Sequence, residues 1–313
     1  MKYLCCLALL LGCVTTEPDD AAERPGESEW VAAVTTCKTG STGTWCTEDA
    51  PAGFTGTLHA VWAASATDVF AAGDGGTILR RVNGTWTTMT SGTTTDLRGM
   101  SGSSSSDVWA GGNGGVLIHF NGTAWSTVSG LSSDIDAVWA SSTSNAWFVG
   151  GGAAVRWNGS QFISSSLTGQ LLGVSGTGPS DVYVTGEDAN VRHWTGSAWT
   201  TMTPGAGTTY LSVLAIATNN VWVSDFMPGK QTVRWTGSAW SPFTTGGANF
   251  NGMSALSTSD IWGAGGAKIG HWNGSSWTVD TTSFPSAVLW SVTTRPGNAW
   301  VVGNSAFIAH HTF

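Results

Sequence analysis

The sequence predicts an all-β fold, a seven-bladed β-propeller of four-stranded antiparallel blades, and three observations predict it. A short phrase returns at spacings of 36 to 40 residues: Asp or Asn, a small aliphatic, an aromatic, two small residues and usually Gly. Its copies begin at Asp68, Asp107, Asn145, Asp181, Asn220, Asp260 and Asn298. A period near ~40 filled with short β-type segments is the mark of radially repeated blades. Charged residues make up only 10% of the chain, yet it carries 19 Trp and 11 Phe. Disordered chains are poor in aromatics, so this composition speaks for a large packed core. Finally, Asn-Gly or Thr-Gly recurs at Asn83, Asn121, Asn158, Thr195, Thr236 and Asn273. Such a pair suits a two-residue hairpin in which both turn residues take positive φ.

Within one unit, Leu97–Ser101, Asp107–Gly112, Val116–Phe120 and Thr123–Val128 read as four strands bounded by Gly, Ser and Asn turn signals. The last unit supplies only three, Leu289–Thr293, Asn298–Gly303 and Ala306–His311. The missing strand is expected from the other end of the chain, where Thr42-Gly43-Thr44-Trp45 echoes Asn83-Gly84-Thr85-Trp86. The ring would then be closed by an N-terminal strand, with Val31–Cys37 added outside it, and no open sheet edge would remain in the array.

The residues before the repeat read as targeting. Lys2 precedes an apolar run, Tyr3 to Leu11, that is far short of the ~20 residues of a permanent span. Leu10-Leu11-Gly12-Cys13 then resembles the bacterial lipoprotein signal, which implies cleavage before Cys13 and acylation of that residue. Residues 1–12 are thus the expected signal, 13–29 an acidic tether with Glu17, Asp19, Asp20, Glu23, Glu27 and Glu29, and 30–313 the propeller. Val14 stands where many such lipoproteins carry the Asp that retains them at the inner membrane. The expected location is extracytoplasmic, lipid-anchored, at the bacterial outer membrane or cell surface. Cys37 and Cys46 are left as an even pair, expected to form a disulfide that holds the closure seam.

Of the 19 Trp, 17 fall in repeat register and are expected to pack blade on blade; Trp30 and Trp290 do not. His119, His193, His271 and His310 or His311 alternate with Arg81, Arg156 and Arg234 at one repeat position. One per blade spreads them around the ring, whereas zinc needs three or four ligands at one point. No metal or other cofactor is expected; calcium on rim carboxylates has no support in the sequence. The Asn-Gly-Thr/Ser triplets at Asn83, Asn121, Asn158 and Asn273 match glycosylation acceptors, and their place in the hairpin turn explains them better.

A site in a repeat scaffold is expected where the repeat is broken. The entry of each innermost strand varies, with His59, Arg98, Asp136, Leu172, Ser212, Asn251 and Trp290. So does the turn after the second strand, with Asp74, Asn113, Asp188 and Phe226 among its residues. Both lie on one rim, at the mouth of the central channel; the competing reading is that these are unconstrained loop positions. No nucleophile motif, phosphate loop or metal cluster accompanies them, so an enzyme is not expected. A net charge of −8 excludes general nucleic-acid binding.

The Asp-Val-Trp, Gly-x-x-Gly and Trp-Asn-Gly-x-x-Trp elements resemble the Asp-box (BNR-like) propellers, the photosystem II assembly factor-like propellers and the Trp-rich repeat lipoproteins of myxobacteria-like bacteria. Asn121-Gly122-Thr123-Ala124-Trp125 occupies the turn where the first of these families has Ser-x-Asp-x-Gly-x-Thr-Trp. Sialidase activity in that family needs an arginine triad with a Tyr/Glu pair; the Arg here are mostly in repeat register, and Tyr183 and Tyr210 are the only Tyr after the signal. The expectation is a monomeric, membrane-anchored platform that binds a protein partner at its rim. The alternative is a lectin-like propeller with Trp290 stacking on a glycan beside Asp74, Asn113 and Asp136.

Overall fold

The computed structural model describes residues 35–128, 131–205, 207–226 and 232–313. They form seven antiparallel sheets, six of four strands and one of five. Blade two runs outward through Leu97–Ser104, Asp107–Gly112, Leu117–Phe120 and Trp125–Val128. Cys13, the acidic residues from Glu17 to Glu29 and Trp30 lie outside the described residues.

The seventh blade joins both ends of the chain. Leu289–Arg295, Asn298–Gly303 and Ile308–Thr312 are followed in the sheet by Gly43–Thr47, with Trp45 opposite His311. The added outer strand begins at Cys37 (Cys37–Gly40) where the sequence suggested that it would end there. Cys37 and Cys46 face each other across this hairpin and are joined by a disulfide. That bond ties the outermost strand to the closing strand and does not itself cross the seam.

Two other devices cross it. The hydroxyls of Ser291 and Thr293 in blade seven accept the N–H groups of Val61 and Ala63 in blade one, at 3.3 and 3.2 Å. Glu48, directly after the closing strand, accepts three hydrogen bonds from Arg81 (2.7–3.1 Å) and one from the Trp86 indole at 2.7 Å. Its Oε1 also lies 3.3 Å from His310 Nδ1.

Aromatic side chains bury the blade interfaces. Trp147 of blade three packs with Leu171, Val174 and Val184 of blade four, and Trp222 of blade five with Ile261 and Trp272 of blade six. A fully buried indole of this kind removes ~150–250 Å² from water.

The Asn-Gly turns depart from expectation in five of six blades. At Asn83-Gly84 a two-residue turn forms, Val82 pairing with Thr85 and both turn residues at positive φ (48° and 97°). Elsewhere four residues bridge the strands, as between Phe120 and Trp125. Those loops hold one more residue before the Trp or Phe that follows, and Asn121, Asn158 and Asn273 cap them by accepting the N–H groups two and three residues on.

The blade histidines are explained by a triad that recurs with the repeat. In each blade the aromatic of the second strand sits directly opposite a His or Arg of the third: Phe70 and Arg80, Trp109 and His119, Trp147 and Arg156, Tyr183 and His193, Trp222 and Arg234, Trp262 and His271, Trp300 and His310. The cationic or imidazole group lies over the ring, as for Trp109 and His119 with centroids 3.9 Å apart. In six blades it reaches back to the Asp or Asn two residues before the aromatic, for example His193 Nε2 to Asp181 Oδ1 at 2.7 Å and Arg80 Nη2 to Asp68 Oδ2 at 2.8 Å. Arg80, and not Arg81, therefore occupies this position in blade one. The turn from Asn83 to Trp86 is one residue shorter than its counterparts and the strand before it one residue longer, so the residue two before the Asn is Arg81, which is turned to Glu48.

These contacts give the fold an acid limit. Burial pushes the carboxyls of Glu48, Asp107, Asp181 and Asp280 up, but their hydrogen bonds outweigh it and hold all four below the usual carboxylate range. A carboxylate lowered on folding contributes stability that is present above its unfolded value and lost as pH falls through its folded one. Stability should therefore be flat down to about pH 5 and fall progressively below about pH 4. Urea midpoints at neutral pH, pH 5 and pH 3.5 check this; a midpoint that rises on acidification would contradict it.

Candidate functional site

Each innermost strand begins with the same local pattern. A buried apolar residue is followed by one that faces the channel and then, as a rule, by a small residue: Leu58-His59-Ala60, Leu97-Arg98-Gly99, Ile135-Asp136-Ala137, Leu171-Leu172-Gly173, Tyr210-Leu211-Ser212, Phe250-Asn251-Gly252 and Leu289-Trp290-Ser291. The large apolar residue anchors the strand between blades, and alternation sends the next side chain into the channel. His59, Arg98, Asp136, Leu172, Leu211, Asn251 and Trp290 accordingly converge with Asp74 and Asp96 around a cavity of ≈ 420 Å³. In blade five the channel residue is Leu211. Ser212, expected there from the sequence, is buried and donates to the Phe250 carbonyl at 3.0 Å. Below the mouth a narrower space of ≈ 180 Å³ is lined by Ala60, Met100, Val138, Val174, Val213 and Met253.

The polar groups of the mouth are fixed. His59 Nε2 lies 2.8 Å from Asp74 Oδ1, and the His59 ring meets the Trp290 indole edge-on at 5.7 Å. Burial raises the Asp74 carboxyl, but the Thr57 N–H and the His59 ring outweigh this and hold it below the usual range. Asp96 Oδ1 accepts the Gly75 N–H at 2.8 Å. Gly75 has φ +62°, so the turn it makes beside Asp74 favours glycine. Arg98 Nη1 donates to Asp136 Oδ1 at 3.0 Å, and Gln170 donates to the other oxygen of the same carboxylate. Trp290 keeps 39% of its surface exposed, unlike the Trp of the blade interfaces.

Six of the nine rim residues singled out from the sequence, His59, Asp74, Arg98, Asp136, Asn251 and Trp290, are brought together here. Three are not. Asn113 opens the turn of blade two outside the cavity lining. Asp188 turns to Arg192 and to the Thr168 hydroxyl, 3.2 Å away. Phe226 is 55% exposed, away from the cavity, and its carbonyl accepts from Asn249. Asp96, Leu172 and Leu211 complete the lining. Leu172 was visible as a strand entry and Leu211 was displaced by one position; Asp96, passed over in the sequence, stands two residues before Arg98 at the place Asp134 holds in blade three, where each accepts a Gly N–H from the turn of the preceding blade.

A second hollow, of ≈ 290 Å³, lies beside the closing hairpin between Lys38, Phe284, Pro285 and Phe307. It gathers apolar surface without convergent charged groups, so the channel mouth is the better candidate. Among the described residues no group of three or more His, Cys, Asp or Glu is placed to hold a metal ion.

No protein-family model matches the sequence, and no curated protein matches it either. Solved structures do match in fold. YCF48 bound to D1 peptide superposes with a TM-score of 0.70 at 14% identity, over 86% of this chain and 97% of that one. The WD40 β-propeller domain of Doa1 gives 0.73 at 14% identity, over 86% and 97%. A catalytically inactive virginiamycin B lyase from Staphylococcus aureus, solved with quinupristin, gives 0.75 at 15% identity, over 86% and 99%. At these identities the likeness is one of fold: this chain is an all-β seven-bladed propeller built like theirs.

Proposed function

We propose that this chain is a lipid-anchored, extracytoplasmic propeller of the Asp-box-like type that binds a protein partner at its channel mouth and performs no chemistry there. One observation carries the reading. The seven channel-facing residues differ almost completely from blade to blade, while the residues on either side of them repeat. A repeat-based lectin would offer the same polar set in each blade; one asymmetric set suits a single site for a single partner. YCF48, similar in fold, is seen with a peptide bound. Acylation of Cys13 would hold the propeller at the membrane, with the acidic segment to residue 29 as tether. The second reading, glycan binding, is supported by the exposed Trp290 beside His59, Asp74 and Asn251, an aromatic platform with polar neighbours.

Site-specific photo-crosslinking tests both readings. A benzophenone residue replacing Leu172 in the full chain, irradiated in intact envelopes, is expected to give one discrete protein adduct. The adduct should vanish with Trp290→Ala and with the Cys13→Ala change that abolishes palmitate labelling. No adduct, together with saturable and Trp290-dependent binding on a glycan array, would replace the protein reading with the lectin one.

A further inference from the structure

The seven channel-facing residues are sorted around the ring. His59, Arg98 and Asp136 stand on blades one to three, Leu172 and Leu211 on blades four and five, then Asn251 and Trp290. The mouth is therefore a cavity with a charged side and an apolar side, the two Leu facing the channel together.

The charged side is not balanced. Arg98 is engaged by Asp136, so the single guanidinium of the lining already has its carboxylate. Asp74 and Asp96 remain. Among the described residues neither forms an ion pair with Lys or Arg; Asp74 has His59, and Asp96 has the Gly75 N–H. Both are tied to the same short turn, Asp74–Gly76: Asp74 opens it and accepts the Thr57 N–H on Oδ2 at 2.7 Å, and Asp96 accepts its Gly75 N–H. Their positions are thus set before any ligand arrives, and ordering them costs a ligand little. Next to them the exposed Trp290 offers a ring suited to a cation or to an alkyl stem.

We propose that the occupant of the mouth is a polypeptide segment carrying a basic side chain close to an aliphatic one, the basic group set between Asp74, Asp96 and Trp290 and the aliphatic group on Leu172 and Leu211. This rests on the protein-partner reading and adds the chemical class of the partner. The cavity holds one or two side chains and not a folded domain, so the partner inserts a loop or a terminus. The Arg98–Asp136 pair separates the two halves and sets the order in which the segment's side chains are read.

The Asp96→Asn variant makes the test clean, because it keeps the oxygen that receives the Gly75 N–H and removes only the charge; Asp74→Asn keeps the Thr57 contact but turns an NH2 to His59 Nε2, which then accepts. The mature chain in detergent micelles is panned against a random twelve-residue peptide library on phage, and enriched peptides are synthesised. The expected result is enrichment of Lys or Arg within two residues of Leu, Ile or Val. Affinity should fall at least about tenfold with Asp96→Asn and again with Asp74→Asn, and should weaken as salt is raised. Replacing the peptide's Arg by citrulline, or its Lys by norleucine, should cost the same on the wild-type chain and nothing further on Asp96→Asn, the sign of a direct pair. Peptides that depend on Leu172 and Trp290 but lack a basic residue, or that ignore Asp96→Asn, would overturn this assignment and leave the protein-partner reading standing. Recovery of no peptide sensitive to Leu172→Asp or Trp290→Ala would remove that reading and this inference together.

Discussion

Glu48→Ala is expected to destabilise the ring by about 3–5 kcal/mol, the cost of stranding a buried charge by removing its partner. Glu48 and Arg81 are largely hidden, and the guanidinium also lies 5.6 Å from the Trp300 ring centroid. Without the carboxylate, Arg81 would keep its charge in that apolar setting, and the Trp86 indole N–H would lose its acceptor. The position matters because Glu48 links the closing strand to blade one and, through His310, to the C-terminal strand, so the loss falls where the two ends of the chain meet. Urea unfolding measures it. A Glu48→Leu, Arg81→Leu pair supplies the control: removing both charges together should recover much of the loss. If the single change cost under ~1 kcal/mol, or the pair cost as much as the single, the closure would not depend on this group.

Trp45→Ala should cost a similar ~3–5 kcal/mol for a different reason, a large cavity in the same seam. Trp45 is 0% exposed and packs edge-on against Trp262 of blade six at 5.6 Å and Phe284 at 6.1 Å, with His311 at 5.1 Å. Its indole N–H donates to the Thr42 hydroxyl at 3.3 Å. Trp45→Phe should recover most of the stability, because it restores most of the ring volume and gives up only that one hydrogen bond. Thermal and urea melts check both variants. A melt in which the alanine variant loses blade seven separately, in two transitions, would show that the closing strand is less coupled to the ring than its packing implies.

The two residues differ in how legible their place was in the primary structure. Trp45 was recognisable because it repeats the position of Trp86, and closure by an N-terminal strand followed from counting strands in the last unit. Glu48 was not recognisable. It stands outside the repeat, and its partners come from residues 33, 38 and more than 200 positions away. The blade triads fall between these cases. The Asp or Asn and the aromatic were seen, and the His or Arg was seen, but their direct opposition depends on strand register. In blade one a shorter turn after a longer strand was enough to exchange Arg81 for Arg80.

The mouth shows the same division. Varying strand entries marked His59, Arg98, Asp136 and Trp290, because a solvent-facing position inside a repeated core is free to differ. The outer turn residues Asn113, Asp188 and Phe226 vary just as freely, and only their distance from the axis separates them from the site. What the amino-acid sequence determined by itself was periodic: blade count, strand order, ring closure and the aromatic packing, since every copy votes for the same local answer. What the tertiary structure decided was convergent. Asp96 joining Asp74 on one turn, Arg98 satisfying Asp136 across two blades and Leu211 replacing Ser212 in the channel all depend on register and on the approach of residues far apart in the chain. No local pattern encodes those distances, because they are set by how the blades pack around the axis.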